Sequence, residues 1–175
     1  MYKHDENLLL YKASQGDSES FGLIFDRYGN KIYRYIYFRV KNKEIAEDLA
    51  SQSFLKTWEF ILAGKTINQL KPFIYRTARN LIIDYYRSRD KEELPLLYTE
   101  NEADESICNI DPDKNIDKEL LEKLLTTLPD EQREIIILRY IEDLSIKEIS
   151  KITDKSAGNI RIIIHRSIKE LRKYA

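Results

Sequence analysis

The chain has few residues that interrupt helices, with 5 glycines and 4 prolines among 175 residues. An all-β protein needs a turn every few residues, and those turns are usually rich in Gly, Pro, Asn or Asp. Apolar side chains instead recur at three- and four-residue intervals almost throughout, which is the period of an amphipathic helix. The sequence therefore predicts an all-α fold.

Residues for metal, redox and phosphate-binding sites are also scarce. Cys108 is the single cysteine, and His4 and His165 are the two histidines, so neither a disulfide framework nor zinc-ligand spacing is present. No glycine-rich phosphate-binding loop occurs. We expect no metal, no cofactor and no enzymatic activity.

Long apolar runs are missing as well. No run approaches 18 residues, and the N-terminus has no signal-peptide pattern. The sequence thus predicts a cytoplasmic protein that does not insert directly into a membrane.

Charge is nearly balanced overall, at a net −1, but it is unevenly distributed. Lys and Arg number 16 against 12 Asp and Glu in residues 1–92, 2 against 10 in residues 93–122, and 11 against 8 in residues 123–175. Residues 93–117 also contain two prolines and lack a helical period, which is typical of a flexible linker. We predict a helical domain over 1–92, an acidic linker over 93–117 and a second helical domain over 118–175. The linker is either a solvated loop without a role or a polyanion that follows a path otherwise used by nucleic acid.

Periodicity and capping residues predict eight helices. Four precede the linker, near 5–14, 18–40, 43–61 and 72–90, and four follow it, near 117–127, 130–141, 146–152 and 157–172. Asn42 and Ser156 fit N-caps, and Ser145 with Glu148 fits a capping box. Pro72 suits a first helical turn.

The stretch SAGNIRIIIHRSIKEL, Ser156 to Leu171, contains an isoleucine run that resembles a strand. A helix partitions it better, because Ile160, Ile164 and Leu171 then share one face while the basic residues lie opposite. Ile162 falls on the basic side, about 200° from Ile160 at 100° per residue. It is either a contact to a thymine methyl group or an exposed residue that a partner protein covers.

Two capped helices joined by a tight break are typical of a helix-turn-helix, whose second helix enters the major groove. A helical hairpin that serves packing alone has the same local pattern. In the DNA-binding reading, the contacting residues would be those on the exposed face and at the N-terminus of the second helix: Ser156, Ala157, Asn159, Arg161, Ile162, His165 and Arg166.

Residues 128–172 resemble the C-terminal DNA-binding domain of bacterial RNA polymerase sigma factors, most of all the extracytoplasmic-function (ECF) class. The matching positions are Leu128-Pro129, Leu138-Arg139-Tyr140, Leu144-Ser145, Glu148-Ile149, Ser156, Gly158, His165-Arg166 and Leu171. The family usually has an acidic residue at 157, Thr at 159 and a basic residue at 163. Ala157, Asn159 and Ile163 depart from this pattern, which leaves the promoter sequence open.

The stretch AEDLASQSFLKTW, Ala46 to Trp58, resembles the helix with which this family binds core RNA polymerase. The resemblance implies that a polar face of this helix docks on the polymerase, and it assigns to this contact Glu47, Asp48, Leu49, Gln52, Ser53 and Phe54.

The stretch FIYRTARNLIIDYYRSR, Phe73 to Arg89, resembles the helix that reads and melts the downstream promoter element. Its basic residues alternate with tyrosines, and cations can follow a single strand while aromatic rings stack on its bases. The residues assigned to this contact are Lys71, Tyr75, Arg76, Arg79, Asn80 and Arg87. Each tyrosine could equally belong to the core.

The resemblance implies a sigma factor that directs promoter-specific transcription initiation, with core RNA polymerase, promoter DNA and an anti-sigma factor as partners. It also implies that the linker threads through a polymerase channel that nascent RNA later occupies. Two other readings stay open from the residues alone. One is a conventional helix-turn-helix regulator, and the other is a helical adaptor that binds only protein.

Overall fold

In the computed structural model, residues 6–91 and 118–174 are described, and all regular structure in these two ranges is helical. The chain divides into two compact units. The first contains α1 (Glu6–Ser14), α2 (Ser18–Val40), α3 (Lys43–Leu62) and α4 (Leu70–Lys91). The second contains α5 (Lys118–Thr126), α6 (Asp130–Ile136), α7 (Ile146–Thr153) and α8 (Ala157–Leu171). The predicted all-α fold with two helical units is confirmed. The predicted linker, 93–117, lies outside the described residues.

In the N-terminal unit, α2 is the central helix. From Ile32 to Phe38 almost every side chain is buried, because α1, α3 and α4 all pack around α2. The Tyr35 ring meets the Tyr75 ring of α4 edge-on, with centroids 5.4 Å apart. Such aromatic pairs add to the stabilisation that burial of their area already gives.

Side-chain caps fix where α2 and α3 begin. The Asp17 carboxylate accepts a hydrogen bond from the Glu19 N–H, 3.1 Å away, and the Asn42 side chain accepts one from the Ile45 N–H at 2.9 Å. The Asn42 cap was predicted. The loop from α3 to α4 turns at Gly64, whose φ of +71° suits glycine. Pro72 lies in the first turn of α4 as predicted, although the helix begins two residues earlier than expected.

A hydrogen bond and an ion pair connect α1 to α2. The Tyr28 hydroxyl donates a hydrogen bond to the Glu6 carboxylate at 2.9 Å, and Arg27 lies 3.9 Å from the same carboxylate. Burial, together with the neighbouring Glu6, raises the pKa of Tyr28 above its ordinary value. A phenol with its ordinary pKa of 10.0 is already protonated at physiological pH, and the raised pKa lets Tyr28 keep donating at higher pH.

In the C-terminal unit, Arg133 holds the end of α5 against α6. Its guanidinium donates to the carbonyls of Leu125 and Leu128, at 2.9 and 3.0 Å. The predicted helix 130–141 is not uniform, because α6 continues as a π-helical turn over Ile137–Ile141. The Glu142 N–H closes that turn on the Ile137 carbonyl.

Helices α7 and α8 form the predicted helix-turn-helix. Ser145 and Glu148 make a reciprocal capping box, and the Ser156 hydroxyl caps α8. Asp154 adopts a left-handed conformation between them, with φ +57°. The inward face of α8 is rotated slightly from the predicted one. Ile160, Ile163 and Ser167 are buried, while Ile164 and Leu171 are half-buried.

Within residues 6–91 and 118–174, no helix is both long and apolar enough to cross a bilayer.

Candidate nucleic-acid and protein-binding surfaces

The N-terminal end of α8 is capped by the side chain of the residue that precedes the helix. The Ser156 hydroxyl accepts from the Asn159 N–H at 3.2 Å, so this side chain is engaged in capping. Ala157 is half-buried, whereas the side chain of Asn159 is exposed. Ser156 is exposed as well, but its hydroxyl is engaged, whereas the Asn159 carboxamide makes no hydrogen bond to a residue that the structure describes.

The predicted contacts further along α8 share one exposed surface. Arg161, Ile162, His165 and Arg166 are all exposed, and Ile162 has 52% of its surface accessible. Arg161 and Arg166 form neither a hydrogen bond nor an ion pair through their side chains with any residue that the structure describes. Two unpaired guanidinium groups on one face favour binding to phosphate.

Contacts on the opposite side hold α8 in place. The Ser150 hydroxyl donates to the Lys155 carbonyl at 2.6 Å, and the Lys155 ammonium forms an ion pair with Glu131. The buried Ser167 hydroxyl donates to the Ile163 carbonyl at 2.8 Å and lies 3.3 Å from the Gln132 side-chain oxygen. The exposed face is therefore presented by a helix that is anchored at both ends.

The exposed side of α4 carries half of the predicted downstream-element residues. Arg76, Asn80 and Arg87 are exposed, and they lie on one side because their spacing of four and seven residues matches the helical period. Arg87 lies 3.8 Å from Asp84, an exposed pair that is worth little in water. Lys71 and Arg79 are half-buried, and both, like Arg76, have interaction partners.

Tyr75 lies elsewhere than its predicted role requires. Its side chain is completely buried against Tyr35, so the expectation that it faces a DNA strand is wrong for this structure. Spacing carried a signal for this, because Ala78 and Ile82 follow Tyr75 at the helical period and are buried with it. Arg76, in contrast, lies about 100° away on the exposed side.

Two further tyrosines of α4 are held by contacts to the protein. The Tyr86 hydroxyl donates to the Arg39 carbonyl of α2 at 2.8 Å, which ties the C-terminal ends of these helices together. Arg89 donates to the Tyr85 hydroxyl at 2.6 Å and lies over the same ring.

The predicted protein-binding residues of α3 divide between two faces. Glu47 and Asp48 are exposed, and half-buried Gln52 donates to the Asp48 carboxylate at 2.7 Å. Leu49, Ser53 and Phe54 are buried, so the prediction that they face a partner needs correction. The Ser53 hydroxyl donates to the Leu49 carbonyl at 2.7 Å, which satisfies it within the helix.

Leu55 and Leu62 extend the outer face of α3, and the sequence reasoning did not assign them to it. Both are exposed. They follow Ser51 at helical spacing, so projecting the helix from exposed Glu47 and Asp48 would have found them. The outer face of α3 is thus acidic near its N-terminus, and toward its C-terminus two exposed leucines lie beside the exposed Lys56 and Glu59.

Within the two described ranges, no group of three or more His, Cys, Asp or Glu side chains is arranged to hold a metal ion.

Comparisons with known proteins match both units. Residues 24–92 match the family model "Sigma-70 region 2", and residues 118–171 match "Sigma-70, region 4". The ECF RNA polymerase sigma factor SigM of Bacillus subtilis is 30% identical over 156 residues, covering 85% of this chain and 91% of that protein. The ECF RNA polymerase sigma factor BldN of Streptomyces coelicolor is also 30% identical over 94% of this chain, which spans 64% of that longer relative.

A solved structure supports the fold. The sigma factor RpoE from Bartonella quintana, in complex with the anti-sigma factor NepR, is 21% identical with a TM-score of 0.72, covering 89% of this chain and 96% of that one.

Proposed function

Because the chain belongs to the ECF class of the sigma-70 family of RNA polymerase sigma factors, we propose that its two units divide the work of promoter-directed transcription initiation. Bound to core RNA polymerase, the C-terminal unit reads the upstream, −35-type element. The N-terminal unit reads and melts the downstream, −10-type element. Sigma factors are initiation factors rather than enzymes, so family membership supports the expectation that the chain is not an enzyme.

The observation that carries the upstream assignment is the exposed face of α8. Arg161 and Arg166 are exposed and unpaired within the described part of the chain, and Asn159 presents a carboxamide near the N-terminus. Arg and Lys contacts to phosphate set the register of a recognition helix, whereas a carboxamide can pair with adenine in the major groove. The helical hairpin therefore has the surface that DNA binding requires.

The downstream assignment rests on α4. Arg76, Asn80 and Arg87 face outward along one side of the helix, where cations can follow a single strand. Lys71 and Arg79 contribute positive charge from the flank. Tyr75 acts in our proposal from inside, by holding α4 against α2, rather than by stacking on a base.

The contact to core polymerase is assigned to the outer face of α3. Glu47, Asp48 and Gln52 would make its polar contacts and Leu55 an apolar one. Buried Leu49, Ser53 and Phe54 keep that face in position. A partner helix with basic and apolar residues would complement it.

We further propose an anti-sigma partner, by analogy with the relative whose structure contains NepR. Since core polymerase and promoter DNA are cytoplasmic, the chain would act in the cytoplasm.

Run-off transcription tests the proposal. We expect the purified full chain and core polymerase, without another sigma factor, to start transcription at defined sites on a genomic promoter library. A conventional regulator would give no transcript under these conditions. A protein-only adaptor would in addition show no salt-dependent affinity for DNA.

A further inference from the structure

The exposed face of α8 (Ala157–Leu171) has a single large, exposed apolar side chain at its centre. Ile162 is the residue, and its neighbours three and four positions away on the helix surface are Gly158, Asn159, His165 and Arg166. All four neighbours are exposed. Isolated exposed apolar residues are common, but this one lies in the middle of the surface that the proposed function assigns to DNA.

Gly158 leaves a notch beside Ile162. Side chains in a helix lean toward its N-terminus, so Ile162 leans toward the preceding turn, where Gly158 lies, without coming within 4 Å of the position that a Cβ on Gly158 would occupy. A Cβ placed on Gly158 would meet only Ser156 Oγ, at 4.0 Å, so the space beside the backbone is open. The notch therefore has an apolar wall, a backbone floor and the Asn159 carboxamide next to it.

We propose that this notch receives the 5-methyl group of a thymine in the upstream element, and that Ile162 distinguishes thymine at that position. The inference rests on the proposed function and specifies one base contact within it. Thymine presents a carbonyl oxygen and a methyl group in the major groove. An isoleucine side chain has no hydrogen-bonding group, so the methyl group is the feature it can recognise.

Charge favours DNA over a protein as the occupant of this surface. A protein-docking patch is usually a contiguous apolar area of several hundred Å². Around Ile162 the exposed neighbours are polar or cationic, and Arg166 has no ion-pair partner within the described ranges. A polyanion with an apolar group at its centre, such as a major groove that contains thymine, complements this arrangement.

Selection of promoters is the first experiment. The full chain reconstituted with core polymerase is used to select duplexes from a pool randomised over the upstream element, in parallel with the I162S variant. We expect the wild type to enrich thymine at one position and I162S to lose that preference while it keeps the rest of the selected sequence. The I162V variant, which retains a branched apolar side chain, should still enrich thymine.

Removal of the methyl group is the second experiment. Deoxyuridine replaces each thymine of the selected upstream element in turn, which deletes the methyl group and leaves base pairing intact. We expect one replacement to weaken wild-type binding by about fourfold, as for the loss of one buried methyl-sized group. The same replacement should have no effect on I162S, because the two changes remove the same contact.

The possible outcomes distinguish failure of the methyl contact from failure of the proposed sigma function. If the wild type selects no duplex, the proposed sigma function fails. If it selects a duplex in which no thymine is enriched, or in which every uracil replacement is silent, only the methyl contact is overturned. Equal sensitivity of wild type and I162S to uracil would also overturn it, since the methyl group would then be recognised by another residue.

Discussion

Arg166 gives the most direct test of the DNA-binding face at the residue scale. Its guanidinium is exposed, and it has no side-chain partner among the residues that the structure describes. If it contacts a phosphate, Arg166→Ala should weaken binding to the upstream element similarly across sequences. The slope of log K against log salt should become shallower by about one unit. The measurement is a salt titration of duplex binding by the holoenzyme.

Lys173→Ala is a matched control for this charge change. Lys173 is exposed but pairs with Glu170 at 2.7 Å, beyond the last turn of α8. We expect it to leave the salt slope nearly unchanged. An unchanged slope in Arg166→Ala as well would remove Arg166 from the set of phosphate contacts.

Tyr75 should affect stability rather than strand capture. Because the ring is fully buried against Tyr35, we expect Tyr75→Ala to lower the free energy of unfolding of the N-terminal unit by about 3–5 kcal/mol. Denaturant unfolding followed by circular dichroism measures this loss. Tyr75→Phe, which keeps the ring, should lose far less.

Tyr11→Ala provides a control in the same unit, since Tyr11 is among its most exposed aromatic residues. Its effect should stay within about 0.5 kcal/mol. If Tyr75→Ala instead left stability intact and abolished promoter melting, Tyr75 would be a base-stacking residue after all.

At the scale of elements, the N-cap of α2 should make the stability of the folded protein depend on pH in the acidic range. The Ser20 hydroxyl donates to the Asp17 carboxylate at 2.6 Å, and this bond is the main reason that the pKa of Asp17 is lowered from its ordinary value of 3.8. A carboxylate with a lowered pKa in the folded state stabilises fully above its unfolded pKa. That contribution is lost as pH falls through the folded pKa.

We therefore expect the melting temperature of the wild type to exceed that of D17N near neutral pH, with the difference shrinking as the pH falls below the ordinary carboxyl pKa of 3.8. Thermal melts across this range provide the measurement. The S20A variant, which removes the strongest donor, should show a weaker pH dependence than the wild type. A difference between wild type and D17N that is constant with pH would contradict the assignment.

Helix ends were predictable where one side chain decides them. Asn42, Ser145 and Ser156 each bond a backbone N–H within three residues, so the signal is local. The π-helical turn over Ile137–Ile141 was missed. One extra residue in a turn shifts the apolar period too little to be seen in a single short segment.

Orientation within a helix was less predictable than its position. Ser53 looks polar enough for a surface, but it satisfies its hydroxyl on the Leu49 carbonyl and lies in the core. Ile163 rather than Ile164 is buried because the packing partners of α8 fix its rotation. Such rotations depend on residues that are far away in sequence. In α4, for example, the Tyr86 hydroxyl donates to the Arg39 carbonyl of α2, 47 residues earlier.

At the scale of the whole molecule, family membership could be predicted because three motifs occur in order along the chain. Motifs identify a family without deciding which of their residues are exposed. Of the residues assigned to core polymerase, Glu47 and Asp48 are exposed whereas Leu49 and Phe54 are buried. A family motif therefore contains both exposed residues, which are accessible to a partner, and buried residues, which hold the exposed face in place.

The charge pattern leads to a prediction for the full chain. Residues 93–122 contain 10 acidic against 2 basic residues, between segments that are both net positive. If this acidic stretch follows a polymerase channel meant for RNA, its charge matters while RNA is being started and not while the upstream element is being bound. Neutralising Asp104 with Glu105, or Asp111 with Asp113, should therefore change the ratio of abortive to full-length transcripts. Duplex affinity for the upstream element should stay unchanged.

The matched control neutralises Glu19 and Asp26, two exposed acids of α2 that carry the same total charge. Single-round transcription with the holoenzyme resolves abortive from run-off products for each pair. A change that the control shares would reflect net charge alone, because long-range repulsion does not depend on which acids are removed. Unchanged product ratios in both acidic-stretch variants would show that its negative charge has no part in initiation. A change confined to those variants, with upstream-element affinity preserved, would place the effect after promoter recognition.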